Sequence, residues 1–132
     1  MSKYRVLVAS VAFVAVLAIA GSAFARTIAS YDLVVPRLGG TVYTGSLTKV
    51  NYSRGVDNNT SNGAGYSMYT AIYHPSTTRV TPSYGLASGS RILISYNAGQ
   101  NMPGTGYRLG HTNKLTTIVN VQSSGSWSPD EY

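Results

Sequence analysis

The chain has 132 residues and carries 10 Lys+Arg against 4 Asp+Glu, a formal net charge of +6, with no Cys. Charged residues make up only 11% of it while Gly reaches 14 and Tyr 11, which fits one domain and excludes a long helical bundle or coiled coil. The lack of Cys excludes a disulfide scaffold and any Cys-ligated zinc or iron–sulfur site.

Residues 1–25 read as a secretory signal peptide. Lys3 and Arg5 make a basic start, Val6–Ala20 is apolar apart from Ser10, and Ala23-Phe24-Ala25 is a small-x-small cleavage site. The apolar run stops short of the roughly 20 residues that a membrane-spanning helix needs. Cleavage after Ala25 leaves residues 26–132 as one secreted domain that does not span the membrane. Its net charge falls from +6 to +4 as Lys3 and Arg5 leave. Export argues against a nucleic-acid partner, and the remaining positive charge suits an anionic cell wall or lipid surface.

Beyond residue 25 the pattern is that of short strands. Tyr31–Val35 is the first, closed by Pro36 and Gly39-Gly40. Thr41–Tyr52 is longer, with Gly45 expected to bulge or divide it. Asp57–Gly65 reads as a loop of Asn and Gly. Tyr66–His74 is the clearest strand and ends at Pro75; Arg79–Thr81 is a short candidate. Arg91–Tyr96 alternates, Tyr107–Leu109 reads as a brief edge strand, and Leu115–Val121 as another strand. The residues from about 123 onward read as a Ser-rich, flexible tail holding the only Trp. About six to eight such strands predict an all-β fold, a small antiparallel β-sandwich.

Catalytic patterns are sparse. After cleavage the acids are Asp32, Asp57, Asp130 and Glu131, and none is spaced as a carboxylate pair. Ser is abundant, but no Gly-x-Ser-x-Gly elbow occurs, and His74 and His111 read as surface or turn residues. Asp57, Asn59 and Ser61 mimic the first ligands of a calcium loop, yet Asn62 stands where Gly is needed and Met68 where the bidentate Glu belongs. No metal and no cofactor is therefore expected. Asn51, Asn58 and Asn59 head Asn-x-Ser/Thr sequences, which matter only in a eukaryotic secretory route.

The Tyr excess is the one compositional signal for a contact surface. Tyr66, Tyr69 and Tyr73 share one expected strand, and Tyr43, Tyr52, Tyr84, Tyr96 and Tyr107 add to the set. Tyr is rigid and amphipathic, so it stacks on sugars or packs on proteins, and it also fills β-sheet cores. Arg54, Arg79, Arg91 and Arg108 are placed to interleave with it. Tyr66, Tyr69, Tyr73, Arg91 and Trp127 are the candidate binding residues, with Trp127 either capping the sandwich or serving as a recognition anchor.

The segment from Val119 to Glu131, with its Gly125-Ser126-Trp127-Ser128-Pro129-Asp130 core, resembles the ending of small exported proteins of Gram-positive bacteria. In composition alone the chain is similar to lactococcin-type β-sandwich bacteriocins, which are secreted, basic, Gly- and Tyr-rich and lack Cys. Neither resemblance carries a functional site. The expected function is a secreted, non-enzymatic binding protein whose partner is a cell-envelope component or another secreted protein. A bacteriocin-like toxin and a small hydrolase are the alternatives. Sheet edges also leave self-assembly open.

Overall fold

The computed structural model describes residues 25–132, so the expected signal peptide falls almost wholly outside the described residues. Nine strands follow in chain order: β1 Ala29–Val35, β2 Thr41–Tyr43, β3 Leu47–Thr48, β4 Gly55–Asn62, β5 Met68–Tyr73, β6 Tyr84–Leu86, β7 Arg91–Ile94, β8 Gly106–Asn113 and β9 Val121–Ser128. They form two sheets, one ordered β1-β9-β4-β7 and the other β2-β8-β5-β6 with β3 also on β8. Every strand pairing is antiparallel. This is the expected all-β sandwich. No helix of the described residues is long and apolar enough to cross a membrane.

The alternation read from the sequence positions the inner faces. Met68, Thr70 and Ile72 of β5 are buried, while Tyr69 points outward. Tyr31, Ile72, Val80, Ile94, Tyr107, Leu109 and Trp127 form the larger apolar cluster. Val35, Met68, Leu86 and Val121 form a smaller one. Gly45 lies in the gap between β2 and β3, so it divides the expected Thr41–Tyr52 strand. Arg79–Thr81 contributes only a single bridge, Tyr73 to Arg79.

Four expectations are corrected. The Asn-rich segment from Asp57 is not a loop: it lies in β4, between β9 and β7. The segment from 123 is not a flexible tail: Ser123–Ser128 belong to β9, which pairs on both sides with β1 and β4. Tyr107–Leu109 is part of an eight-residue strand that β2, β3 and β5 all pair with. Leu115–Val121 is a loop up to the last residue, and it leaves Leu115 and Ile118 81% and 71% exposed.

The first two misreadings share one cause. β4 and β9 bury polar residues on their inner positions, so no apolar alternation marks them. Asp57, Asn59, Asn62 and Ser123 are all buried. A register shift between Asn59 and Ser61 lets Asn59 and Asn62, three positions apart, both face inward.

Gly125 and Trp127–Asp130 are structural residue by residue. A Cβ on Gly125 would lie 2.7 Å from the Tyr31 hydroxyl, so only Gly lets β9 pass between β1 and β4 there. Trp127 fills the core. The Asp130 amide donates to Ser128 Oγ at 3.1 Å. The Pro129 carbonyl accepts from Lys49 Nζ at 2.9 Å and from the Tyr96 hydroxyl at 2.7 Å. Asp130 accepts from Lys49 at 2.8 Å and from the Val50 amide at 2.8 Å.

Candidate functional site: an arginine-lined cleft

The sequence candidates separate into three places. Tyr69 and Tyr73 share the outer face of the second sheet. There Tyr73 meets Tyr43 edge to face at 5.0 Å, and Arg108 sits over the Tyr43 ring at 5.0 Å. Gly110 lies beneath both rings, where a Cβ would meet Tyr73 at 2.5 Å and Tyr43 at 3.2 Å. Burial and the neighbouring Tyr43 push the Tyr73 phenol up from its ordinary pKa. These rings are packed on one another and on the sheet. Tyr69 is 40% exposed and borders a groove of about 380 Å³ with Thr112, Lys114 and Leu115. Tyr66, 38% exposed, follows the single 3-10 turn Gly63–Gly65, away from the strand face expected for it.

Arg91 and Trp127 do come together, though not as equals. Trp127 is 1% exposed and belongs to the core, which corrects its reading as a recognition anchor. Arg91 is exposed and opens β7. Both line a cleft of about 230 Å³ on the outer side of the four-stranded sheet. Arg26, Asn58, Arg91 and Ser126 supply its polar groups, and Ile28 and Val56 an apolar wall.

Strand register builds this cleft. Ser126 of β9 is opposite Asn58 of β4, and Asn58 is opposite Arg91 of β7, so the three side chains stand in one row across adjacent strands. Arg26 closes the row from the segment before β1. One of its guanidinium nitrogens donates to the backbone carbonyls of Asp130 and Glu131, which holds the side chain over the sheet. Arg91 takes part in none of the salt bridges among the described residues. No carboxylate lines the cleft. Two guanidiniums, an amide and a hydroxyl facing one space suit an oxyanion, through forked charge-assisted hydrogen bonds. Arg26, Asn58 and Ser126 were not singled out from the sequence. Asn58 was hidden by the loop reading of β4, and Arg26 and Ser126 carry no motif.

A second polar constellation lies inside the sandwich. Asp57 Oδ1 accepts from the Tyr31 hydroxyl at 2.7 Å, and Oδ2 accepts from Thr70 Oγ1 at 2.8 Å and from His111 Nε2 at 2.7 Å. The other ring nitrogen, Nδ1, is 3.1 Å from Ser123 Oγ. Asp57 and His111 are thus buried partners, which corrects their reading as a loop carboxylate and a surface or turn histidine.

Ser123, His111 and Asp57 stand in hydrogen-bonded sequence, the order of a hydrolase triad, inside the sandwich. Asn62 Nδ2 faces the Tyr66 carbonyl at 2.9 Å, which turns Asn62 Oδ1 toward Ser123. The Ser123 hydroxyl spends its one proton on that oxygen at 2.8 Å. His111 Nε2 donates to the Asp57 carboxylate, and Nδ1 faces the Ser123 oxygen. Ser123, His111 and Asp57 are each 0% exposed. Burial, and then the Asp57 charge, push the Tyr31 phenol far above its usual range. His74 is separate: it stacks on Tyr107 at 5.5 Å and pairs with Gln100 at 3.2 Å. Among the described residues no group of three or more His, Asp or Glu is placed to hold a metal ion.

No family model matches the chain. No curated protein matches it either. Among solved structures, it is similar to the crystal structure of PirA at 12% sequence identity, with a TM-score of 0.48 over 80% of this chain and 97% of that one.

Proposed function

We propose that the protein is an exported, non-enzymatic binding protein that holds an anionic component of the cell envelope in the Arg26–Arg91 cleft. The observation that carries this reading is the row of Arg91, Asn58 and Ser126, closed by Arg26 and free of carboxylates. The distribution of charge supports it. Two of the four acids are spent inside, Asp57 on His111 and Asp130 on Lys49. Of the other two, Glu131 is paired with Arg54, and Asp32 accepts from Gln122 and Ser124. The surface is thus more basic than the net charge suggests, and it favours polyanions at a distance as well as in the cleft.

The test is sedimentation of residues 26–132 with isolated, protein-free cell-wall polymer. These residues hold every described strand and both apolar clusters. Retention that weakens about tenfold in Arg91→Ala, and that falls with added salt, is the expected result. Equal retention of wild type and Arg91→Ala would overturn the assignment of the cleft.

A further inference from the structure

We infer that one end of the sandwich is a docking tip for an anionic lipid bilayer, built from the loops Pro36–Gly40 and Lys114–Asn120. Leu38, Leu115 and Ile118 are 55%, 81% and 71% exposed there, and Val34 at the end of β1 is 60% exposed. Single exposed apolar side chains are ordinary, but a cluster on two loop tips marks a contact surface.

The two loops form one unit. The Leu38 amide donates to the Thr117 carbonyl at 2.8 Å, and the Arg37 amide to Asn120 Oδ1 at 3.0 Å. Leu115 lies against Gly39, where an added Cβ would be 2.6 Å from Leu115 Cδ2. The apolar residues are therefore held outward by backbone contacts rather than hanging on loose loops. Leu38 has φ 58, a left-handed conformation that a bulky residue rarely adopts. Gly would meet that backbone at no steric cost, so Leu at this position adds exposed apolar surface against the local preference.

Charge selects the occupant. Exposed Arg37 and Lys114 flank the three apolar side chains, and neither loop contains an acid. Apolar side chains ringed by Lys and Arg match a membrane surface, where hydrocarbon lies beneath anionic headgroups. Tyr69 borders the groove that Lys114 and Leu115 also line, beside the tip. The Arg26–Arg91 cleft is at the other end of the same strands: Ala29 pairs with Trp127 near the cleft, and Val35 with Val121 near the tip. Six strand steps put the two sites about 20 Å apart, so each can be removed without touching the other.

Flotation of residues 26–132 with phosphatidylglycerol/phosphatidylcholine vesicles, against pure phosphatidylcholine vesicles, is the test. Binding to the anionic vesicles is expected, with at least a tenfold loss in the Leu115→Ser/Ile118→Ser double variant and a comparable loss in Arg37→Gln/Lys114→Gln. Leu38→Gly is the control for a merely structural role: it is expected to unfold at the same or a higher temperature than wild type, yet to float less. Loss of flotation in Arg91→Ala, with Leu115→Ser/Ile118→Ser floating as wild type does, would place lipid binding in the cleft and overturn this inference. Wild-type protein that stays with the buffer, or apolar variants that float as well as wild type, would overturn it. So would a dimer in sedimentation velocity that Leu115→Ser/Ile118→Ser breaks without any vesicle binding, since the tip would then be an interface between two copies.

Discussion

Lys49 and Asp130 meet in a fully buried ion pair, Nζ to Oδ1 at 2.8 Å, across 81 positions of sequence. The lysine uses its three protons on Asp130, the Pro129 carbonyl and the Ser53 carbonyl, with the Tyr96 ring 4.4 Å away. Taking an ammonium and a carboxylate out of water is costly, and only this complete set of partners offsets it. The last residues of the chain are fastened by it rather than left to solvent. Breaking the pair from one side, as in Asp130→Ala, is expected to lower unfolding free energy by about 3–5 kcal/mol in urea titration. Lys49→Met with Asp130→Leu, which removes both charges, is expected to recover most of that loss.

The inner network sets a second expectation. Asp57→Ala strands the Tyr31 and Thr70 hydroxyls and leaves His111 Nε2 without its partner. A loss of about 3–5 kcal/mol, or failure to fold, is expected from chemical denaturation, with Thr70→Val at the same site costing about 1–2 kcal/mol. A serine-directed phosphonate is expected to leave Ser123 unmodified in the folded protein, as read by intact mass. Stoichiometric labelling of Ser123 would contradict its complete burial.

Alkaline pH should destabilise the fold. Tyr31 and Tyr96 have phenols raised well above their ordinary pKa, by burial first and then by Asp57 and Asp130 respectively. A raised folded pKa means stability that is complete below the unfolded value of 10.0 and is lost above it, because only the unfolded chain releases the proton. Each tyrosine then costs about 1.4 kcal/mol per pH unit. Lys49 acts in the opposite direction: burial lowers its pKa despite Asp130, so it adds stability as pH climbs to its unfolded value of 10.5, and nothing beyond that. Thermal unfolding followed across pH 9–12 is expected to show a falling midpoint above about pH 10.5, steeper than one tyrosine explains.

Gly125→Ala tests the crossing of β9 between its neighbours. The added methyl meets the Tyr31 hydroxyl and the backbone of β4, neither of which can move away cheaply. A cost of about 1–3 kcal/mol or more is expected from the clash. Gly45→Ala, where nothing lies within 4 Å, is expected to change stability little.

What the sequence revealed follows from where its apolar residues sit. β1, β5 and β7 carry apolar inner positions such as Tyr31, Ile72 and Ile94, and alternation exposed them. β4 and β9 face a hydrogen-bonded interior, so Asp57, Asn59 and Ser123 looked like loop and tail residues although each is buried. Leu115 and Ile118 had the composition of a strand and stand in solvent instead. Arg91 could be singled out because its strand alternates; the residues it aligns with, Asn58 and Ser126, depend on a register that only the folded sheet supplies. Trp127, the most conspicuous single residue, proved to be core.

The proposed anion site is formed by Arg91, Asn58 and Ser126 with Arg26. It is tested most directly by NMR titration of residues 26–132 with inorganic polyphosphate, following backbone amides and the Arg Nε–H signals. Saturable shifts at Asn58, Arg91 and Ser126, abolished in Arg91→Ala, are the expected result. Shifts confined to the Tyr43–Tyr73 face or the loop tip, with Asn58 and Ser126 unmoved, would contradict the assignment of this cleft as the binding site.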